Sequence, residues 1–313
     1  MSLKTERASP GRLLHRLKND LIFWFMLLPS LFVLIAVAYI PMFGIIVAFK
    51  DYNYRDGIFF SPWSGLRNFE FLFKSGKLGM LTSHTVLYNI VFIVTGTVAA
   101  VSIAIMISEI GSRHFKKITQ SMIFLPNFMS WVIISTLLYN ILHVDYGVLN
   151  TFLRAFGAPP VDVFTNAKVW YFLLPLLRIW KSAGFGSVIF FAAIMSIDQE
   201  FYESAKLDGA GRFQEIRFIT LPMILPTIVI LTLLDLGSIL RGDFSMFYQL
   251  VGRNGLLFKT TDILDTFVFR ALMHNNDIGL ASAVGFYQSI FCFIVIMLVN
   301  RLVRWIQPEY ALF

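Results

Sequence analysis

Charged side chains are scarce in this chain, and two places hold ones whose surroundings demand an explanation. The first is Asp235, a carboxylate inside an apolar run. A carboxylate there is expensive and marks either a pathway or a buried ion pair. Arg178 and Lys181, in an earlier apolar run, are candidate partners, although they also suit snorkelling near a span end. Arg241 lies six residues after Asp235, off its helical face. Both readings of Asp235 stay open. The second place is the polar break "DQEFYESAKLDGAGRFQEIRF", residues 198–218, between two very apolar runs. Asp198 suits a helix cap, with Glu200 and Glu203 in the early turns where the macrodipole favours negative charge. Gly209 and Gly211 permit a turn that residues with a Cβ resist. A second helix is then expected from about Arg212 toward the next apolar run, so the break reads as two short helices at an angle. Ser204, Ala205, Gly209, Ala210 and Gly211 are small enough to let another protein's surface approach closely. A plain solvated loop is the alternative.

Covalent and metal chemistry find no support. There is no G-x-x-x-x-G-K-[ST], H-E-x-x-H or G-x-S-x-G, and no Cys/His cluster. The five histidines are scattered at 15, 84, 114, 143 and 274. No cofactor, metal or catalytic residue is expected, and nucleotide binding through a P-loop is excluded. The single cysteine, Cys292, permits no intrachain disulfide.

Composition dictates the elements that must position these residues. The 313 residues are 57% hydrophobic and only 14% charged, with 33 Phe and a mean hydropathy of +0.70. A soluble domain carries nearer a quarter charged residues, so the natural solvent is a bilayer. The net charge of +7 does not point to nucleic acid, because the basic residues fall in short loops between apolar runs. Six runs reach spanning length, at roughly 21–49, 84–108, 119–142, 170–197, 219–240 and 278–303. Inside a bilayer a single buried chain satisfies its backbone only as helices. The expected fold is therefore an all-α polytopic membrane protein with six transmembrane helices. Pro29 and Pro41 predict a kinked or protruding first span.

Orientation follows from Lys and Arg. With the N-terminus inside, the inner segments and Arg301 hold 13 of the 26, at about twice the density of the outer loops 50–83, 143–169 and 241–277. Both termini are expected in the cytoplasm. The expected organisation is a cytoplasmic amphipathic segment at 1–20 and a first transmembrane helix at 21–49. An outer loop, 50–83, leads to a five-helix core, 84–303, and a cytoplasmic tail, 304–313. In the N-terminal segment Leu13, Leu14, Leu17 and Leu21 share a helix face, away from Arg12, Arg16 and Lys18. The apolar run continues well past "AVA" at 36–38, which favours an uncleaved first helix over a signal peptide.

The stretch "ESAKLDGAGRFQEIRFITLP" resembles the EAA signature of ATP-binding-cassette (ABC) importer permeases. Glu203, Ala205, Gly209, Ile219, Leu221 and Pro222 stand at the family's spacing, with Ser204 replacing the first alanine. The continuation Asp208, Gly209, Ala210, Gly211 looks like the sugar-importer branch. "GIIVAFKDYNYRDGIFFSPWSGLRNFEFLF", "LPNFMSWVI", "DILDTFVFRAL" and "ASAVGFYQSI" resemble maltose-type oligosaccharide permeases, nearest the polygalacturonan/rhamnogalacturonan-like branch. The resemblance implies a type I ABC importer permease in a bacterial plasma membrane. It implies that Glu203 to Gly211 form a coupling helix docking on a separate ATPase. The implied assembly contains a second homologous six-span permease, two ATPase subunits and an extracytoplasmic solute-binding lipoprotein.

Sugars call for hydrogen-bonding groups and an aromatic face. Counting inward from the span ends puts Trp131, Tyr287 and Gln288 near the bilayer centre, with Asp235 slightly outward, and makes them candidate pathway residues. Thr95, Thr97, Ser130, Ser187 and Ser289 also fall at that depth, where bonding to their own helix is the favoured reading. Gly96, Gly184 and Gly186 are expected to allow close helix packing. The long loop 241–277 is expected either to cover the pathway mouth or to meet the binding protein. An ion-coupled secondary transporter would call for inverted repeats and mid-membrane ion ligands. A membrane enzyme would call for clustered acids, histidines or a metal site. None of these is evident.

Overall fold

A computed structural model describes residues 21–306 and Pro308. The amphipathic segment 1–20 and most of the tail expected at 304–313 lie outside the described residues. Among the described residues there is no strand, only an isolated bridge between Lys50 and Trp63. Five helices are long and apolar enough to cross a membrane: Phe23–Phe49, Lys77–Ser108, Ala167–Met195, Arg212–Leu236 and Ile278–Trp305. The sixth apolar run is broken into Arg113–Phe128 and Trp131–Leu142, bent by 92°. The third run, expected as one helical span, is thus an angled pair of helices. Pro126 sits in a 3-10 turn, Leu125–Phe128, and Ser130 starts a new helix by accepting a hydrogen bond from the Ile133 N–H at 3.3 Å.

Proline also explains two irregular helices. A π-helical turn, Ile35–Tyr39, immediately precedes Pro41, and a second, Ile216–Thr220, precedes Pro222. Proline lacks an N–H and crowds the carbonyl four residues back, and a widened turn relieves both. The first span therefore bends into a 3-10 segment, Phe43–Phe49, which is the part that packs on the last span.

The second and fourth spans pair along much of their length. Gly184 makes the fourth span's approach to Arg113–Phe124 possible, since a Cβ there would stand 2.2 Å from the Ile123 carbonyl oxygen. Gly186 meets Ala100 at ordinary contact distance, whereas Gly96 faces open space and supports no close contact. Three apolar cores result. One gathers Tyr88, Trp131, Trp170 and Phe247, a second gathers Leu81, Leu240, Leu264 and Val284, and a third gathers Ala104, Phe190, Ile194 and Ile224 beside the 198–218 break.

The segment 241–277, expected as a long outer loop, is largely helical. It folds into the helices Phe244–Leu250, Phe258–Thr261 and Leu264–Met273, and Met246, Leu257, Ile263 and Leu264 are wholly buried. Its apolar residues recur at helical spacing and enter the cores, so the segment is part of the packed body.

Candidate functional site

The 198–218 break begins as anticipated, with the Asp198 side chain accepting from the Glu200 N–H at 3.1 Å to start the helix Gln199–Leu207. Its end is a Schellman turn. The Ala210 N–H donates to the Ala205 carbonyl at 2.9 Å and the Gly209 N–H to the Lys206 carbonyl at 3.1 Å. That pairing requires a left-handed residue at Gly209, which has φ of +79°. Gln214 Oε1 then accepts from the Gly211 N–H at 2.7 Å and starts the next helix. That helix does not stop as a short second piece. It runs through the π turn into the fifth span as Arg212–Leu236.

Glu203, Ser204, Asp208, Gly209 and Gly211 are exposed, while Ala205 and Ala210 are half-buried. Leu207 is 90% exposed and Phe213 74%. Apolar side chains so exposed beside charged ones are what a docking surface offers. The base is fastened from below. Tyr202 Oη lies 3.0 Å from Thr220 Oγ1, Arg212 forms an ion pair with Glu109 at the end of the second span, and Glu215 is buried. An ideal Cβ on Gly209 meets no atom within 4 Å, so a side chain there would project outward.

A cavity of about 560 Å³ opens between the second, fourth and fifth spans. Its polar lining comes from Asn89, Thr97, Arg178, Ser182, Asp235, Ser238, Arg241 and Asp243. Such a mixture of hydroxyl, amide and paired charge suits a hydroxyl-rich solute without requiring a net charge on it. Of the four pathway candidates, only Asp235 lines this cavity. Trp131 is buried and donates its Nε1–H to Asp243 Oδ2 at 3.1 Å. Gln288 is buried and donates to the Leu240 carbonyl at 2.8 Å. Tyr287 lines a separate groove, its Oη 3.2 Å from Thr82 Oγ1. The structure does not bring the four together.

Arg178 pairs with Asp243 at 2.7 Å, not with Asp235, which corrects one of the pairings considered for that carboxylate. Lys181 instead donates to the Asn127 carbonyl at 2.8 Å and lies 5.5 Å above the Trp131 ring. Asp243 is the residue missed from the sequence. Its Oδ1 accepts from the Met246 N–H at 3.0 Å while Oδ2 takes Arg178 and Trp131. An aspartate just before the periodic run "FSMFYQL" was a helix-cap signal. Asn89, also missed, donates to the Ile239 and Arg241 carbonyls at 2.8 and 3.2 Å, tying the second span to the end of the fifth. Thr95 bonds to its own helix, at the Val91 carbonyl. Among the described residues no group of three or more His, Cys, Asp or Glu could hold a metal ion.

Comparison with known proteins matches this arrangement. The family described as binding-protein-dependent transport system inner membrane component matches residues 96–309. The polygalacturonan/rhamnogalacturonan transport system permease protein YteP of Bacillus subtilis (strain 168) is 34% identical over 299 residues, covering 95% of this chain and 92% of the relative. A chain from the crystal structure of a bacterial ABC transporter involved in import of the acidic polysaccharide alginate superposes with a TM-score of 0.86 at 32% identity, covering 95% of this chain and 99% of the other. A chain of the bacterial alginate ABC transporter in complex with alginate pentasaccharide-bound periplasmic protein gives 0.85 at 32% identity, covering 94% and 98%. With its helical spans, its broken third run and its Schellman-turned loop, this chain belongs to the family of inner-membrane permease components of binding-protein-dependent transport systems, and is a multi-pass transport subunit rather than an enzyme.

Proposed function

We propose that this chain is one permease of an ATP-driven oligosaccharide importer, and that residues 203–211 dock on a separate ATPase subunit. The exposed turn at Gly209 carries the reading, because it projects from a helix continuous with a span that borders the polar cavity. Force applied at Glu203, Ser204, Ala205, Asp208, Gly209, Ala210 and Gly211 has a rigid route to Asp235. The roughly twofold higher density of Lys and Arg in one set of loops supports a cytoplasmic side for the 198–218 loop and both termini. A second six-span permease supplies the other half of the pathway, two ATPase subunits supply the power stroke, and an extracytoplasmic binding protein delivers the sugar. Relatives that handle polygalacturonan/rhamnogalacturonan or alginate make plant and algal oligosaccharides the first substrates to try.

The test is to purify the assembled complex in proteoliposomes and measure ATP turnover against a panel of oligosaccharides with the binding protein present. Stimulation by a sugar, with no hydrolysis by the rigorously purified chain alone, is the expected result. ATP hydrolysis by the chain alone, or uptake driven by an ion gradient without nucleotide, would overturn the reading.

A further inference from the structure

A second cavity, of about 870 Å³, lies at the end of the molecule away from the 198–218 loop and is unconnected to the polar one. It is a groove between the helix Arg67–Lys74, the 3-10 end of the first span and the last span. Its floor is aromatic. The rings of Phe49, Phe69 and Phe286 stand 5.3 to 5.9 Å apart, and Phe73, Tyr287 and Ile290 extend the apolar wall. The groove is held open by the backbone. Asn68 donates to the Ala48 and Lys50 carbonyls, both at 2.9 Å, and Gly279 makes room for Asn68, since a Cβ there would lie 2.9 Å from its amide nitrogen.

Three observations identify what fills it. The first is depth. The last span begins at Ile278, so its groove-lining residues Phe286 to Ile290 lie about 12–18 Å along it at the helical rise, a depth within or near the roughly 15 Å of hydrocarbon in one leaflet. The second is the mouth. Arg67, Lys74 and Glu70 ring it beside Ser64, whose hydroxyl oxygen has no hydrogen-bond partner. Arg67 and Lys74 are engaged only in exposed pairs, with Asp51 and Glu70, which contribute little and exchange readily. The third is the neighbouring loop. Lys50 is buried and donates to the Ile58 and Phe59 carbonyls at 2.9 and 2.7 Å, and this fixes a loop that leaves Phe59, Phe60 and Trp63 at least 70% exposed. Such a cluster next to the end of an apolar span belongs at a membrane interface, where aromatic side chains concentrate. The groove and the loop are continuous with the exposed apolar surface of the first span.

We propose that this groove is a binding site for one glycerophospholipid of the leaflet away from the 198–218 loop. An acyl chain lies on the Phe49, Phe69 and Phe286 floor, and the headgroup phosphate meets Arg67 and Lys74. Glu70 suits the amine of a zwitterionic headgroup such as phosphatidylethanolamine. A sugar does not fit this groove, because its floor offers no free hydrogen-bonding group and Tyr287 is already engaged with Thr82. The inference stands apart from the transport reading, since it requires only that the chain span a bilayer.

The test uses the assembled transporter in nanodiscs containing phosphatidylethanolamine with a photoactivatable diazirine midway along one acyl chain. Peptide mapping after illumination should find adducts concentrated on Phe286, Tyr287, Ile290 and Phe73, above the level at Phe32 on the exposed first span. Ile290→Trp, which fills the groove, should remove the groove adducts and leave those at Phe32. Arg67→Ala combined with Lys74→Ala spares the apolar floor and should weaken groove labelling by at least about tenfold, since both cationic partners of the phosphate are lost. Diazirine-labelled diacylglycerol, which lacks the phosphate, should label wild type as weakly as phosphatidylethanolamine labels that double variant. Groove labelling no higher than at Phe32 and unchanged in both variants would sink the proposal. So would a photo-crosslinker at Phe73 that captures the second permease or the binding protein instead of lipid.

Discussion

The segments 198–218 and 241–277 look alike in the sequence, each a polar interruption between apolar runs and each holding a helix-capping aspartate. They fold in opposite senses. Asp198 caps a helix whose Glu203, Ser204 and Asp208 stay in solvent, and the ionic contact of that region, Arg212 with Glu109, fastens only its base. Asp243 caps a helix whose Met246, Phe247 and Leu250 are buried, and its second oxygen is consumed by Arg178 and Trp131. The same capping chemistry serves presentation in one place and closure in the other. The difference lies in the apolar periodicity that follows the cap. Where "FSMFYQL" supplies a buried face the segment collapses inward. Where "ESAKLDGAG" supplies small and charged residues it stands out, available to a partner.

Substitution at the closed segment should do most damage. Asp243→Ala strands Arg178, removes the Trp131 acceptor and uncaps Phe244–Leu250. With the pair half-buried and its charge term partly screened, the expected loss is about 2–3 kcal/mol. It should appear as a lower melting temperature of the detergent-solubilised chain. Asp243→Asn keeps a capping oxygen and should fall between wild type and Asp243→Ala. Stability at the wild-type level in Asp243→Ala would remove the distinction between the two segments.

The open segment should behave in reverse, with large functional and small structural effects. Gly209→Leu adds a side chain that meets nothing within this chain but must adopt positive φ, a local strain of roughly 1–2 kcal/mol. Membrane insertion and pairing with the second permease should survive. The ATPase should be lost on purification, or retained with sugar-stimulated turnover abolished. Glu203→Ala, which removes a polar contact without adding bulk, should show a milder form of the same defect. Normal coupling in Gly209→Leu would reduce 198–218 to a solvated loop.

Asp235 lies on the fifth span, between the two segments. With Arg178 committed to Asp243, Asp235→Asn should cost less stability than Asp243→Ala while altering uptake or coupling through the cavity it lines. A melting temperature lowered as far as that of Asp243→Ala, with transport per folded molecule unchanged, would return Asp235 to a structural role.

The smallest effect is expected at Asp265, in the closed segment and outside the spans. Burial pushes its carboxyl above the ordinary aspartate range, although the Gly242 N–H donates to it at 2.7 Å. The folded chain therefore holds that proton more tightly than the unfolded chain does. Ionisation costs stability as pH rises from the ordinary aspartate value through the raised folded one. Asp265→Asn should be at least as stable as wild type at neutral pH and should lose this advantage below the ordinary aspartate value. Melting curves across acid pH check the sign. A variant less stable at neutral pH than at acid pH, relative to wild type, would show that the charged form is the one the fold favours.

Much of the architecture was legible because bilayer physics acts on runs of residues rather than on single ones. Spanning length, Lys and Arg placement and the absent catalytic motifs needed no contacts. The turn at Gly209 was legible because the Schellman bonds join residues five apart or fewer. The pathway residues were less so. Counting inward from a span end gives depth but not direction, and each residue along a helix rotates the side chain by about 100°. Trp131, Gln288 and Asp235 were assigned similar depths, yet one faces a packed core, one a carbonyl in the turn after the fifth span and one a cavity. The bend after Pro126 was missed because proline in a membrane helix is often tolerated, and only the neighbouring helices decide whether it kinks or breaks the run.

The sequence by itself therefore determined the solvent, the number of apolar runs, the exclusion of P-loop chemistry and the local turn that presents Glu203 to Gly211. These are properties of composition and short-range hydrogen bonding, written in consecutive residues. Only the tertiary structure decided that Arg178 belongs to Asp243, that Trp131 completes that pair, and that Asp235 is left to line the cavity. Ionic and hydrogen-bonded contacts act over a few ångströms. Which groups come that close depends on how separate helices are rotated and crossed, a relation between residues 65 and 112 positions apart in the chain.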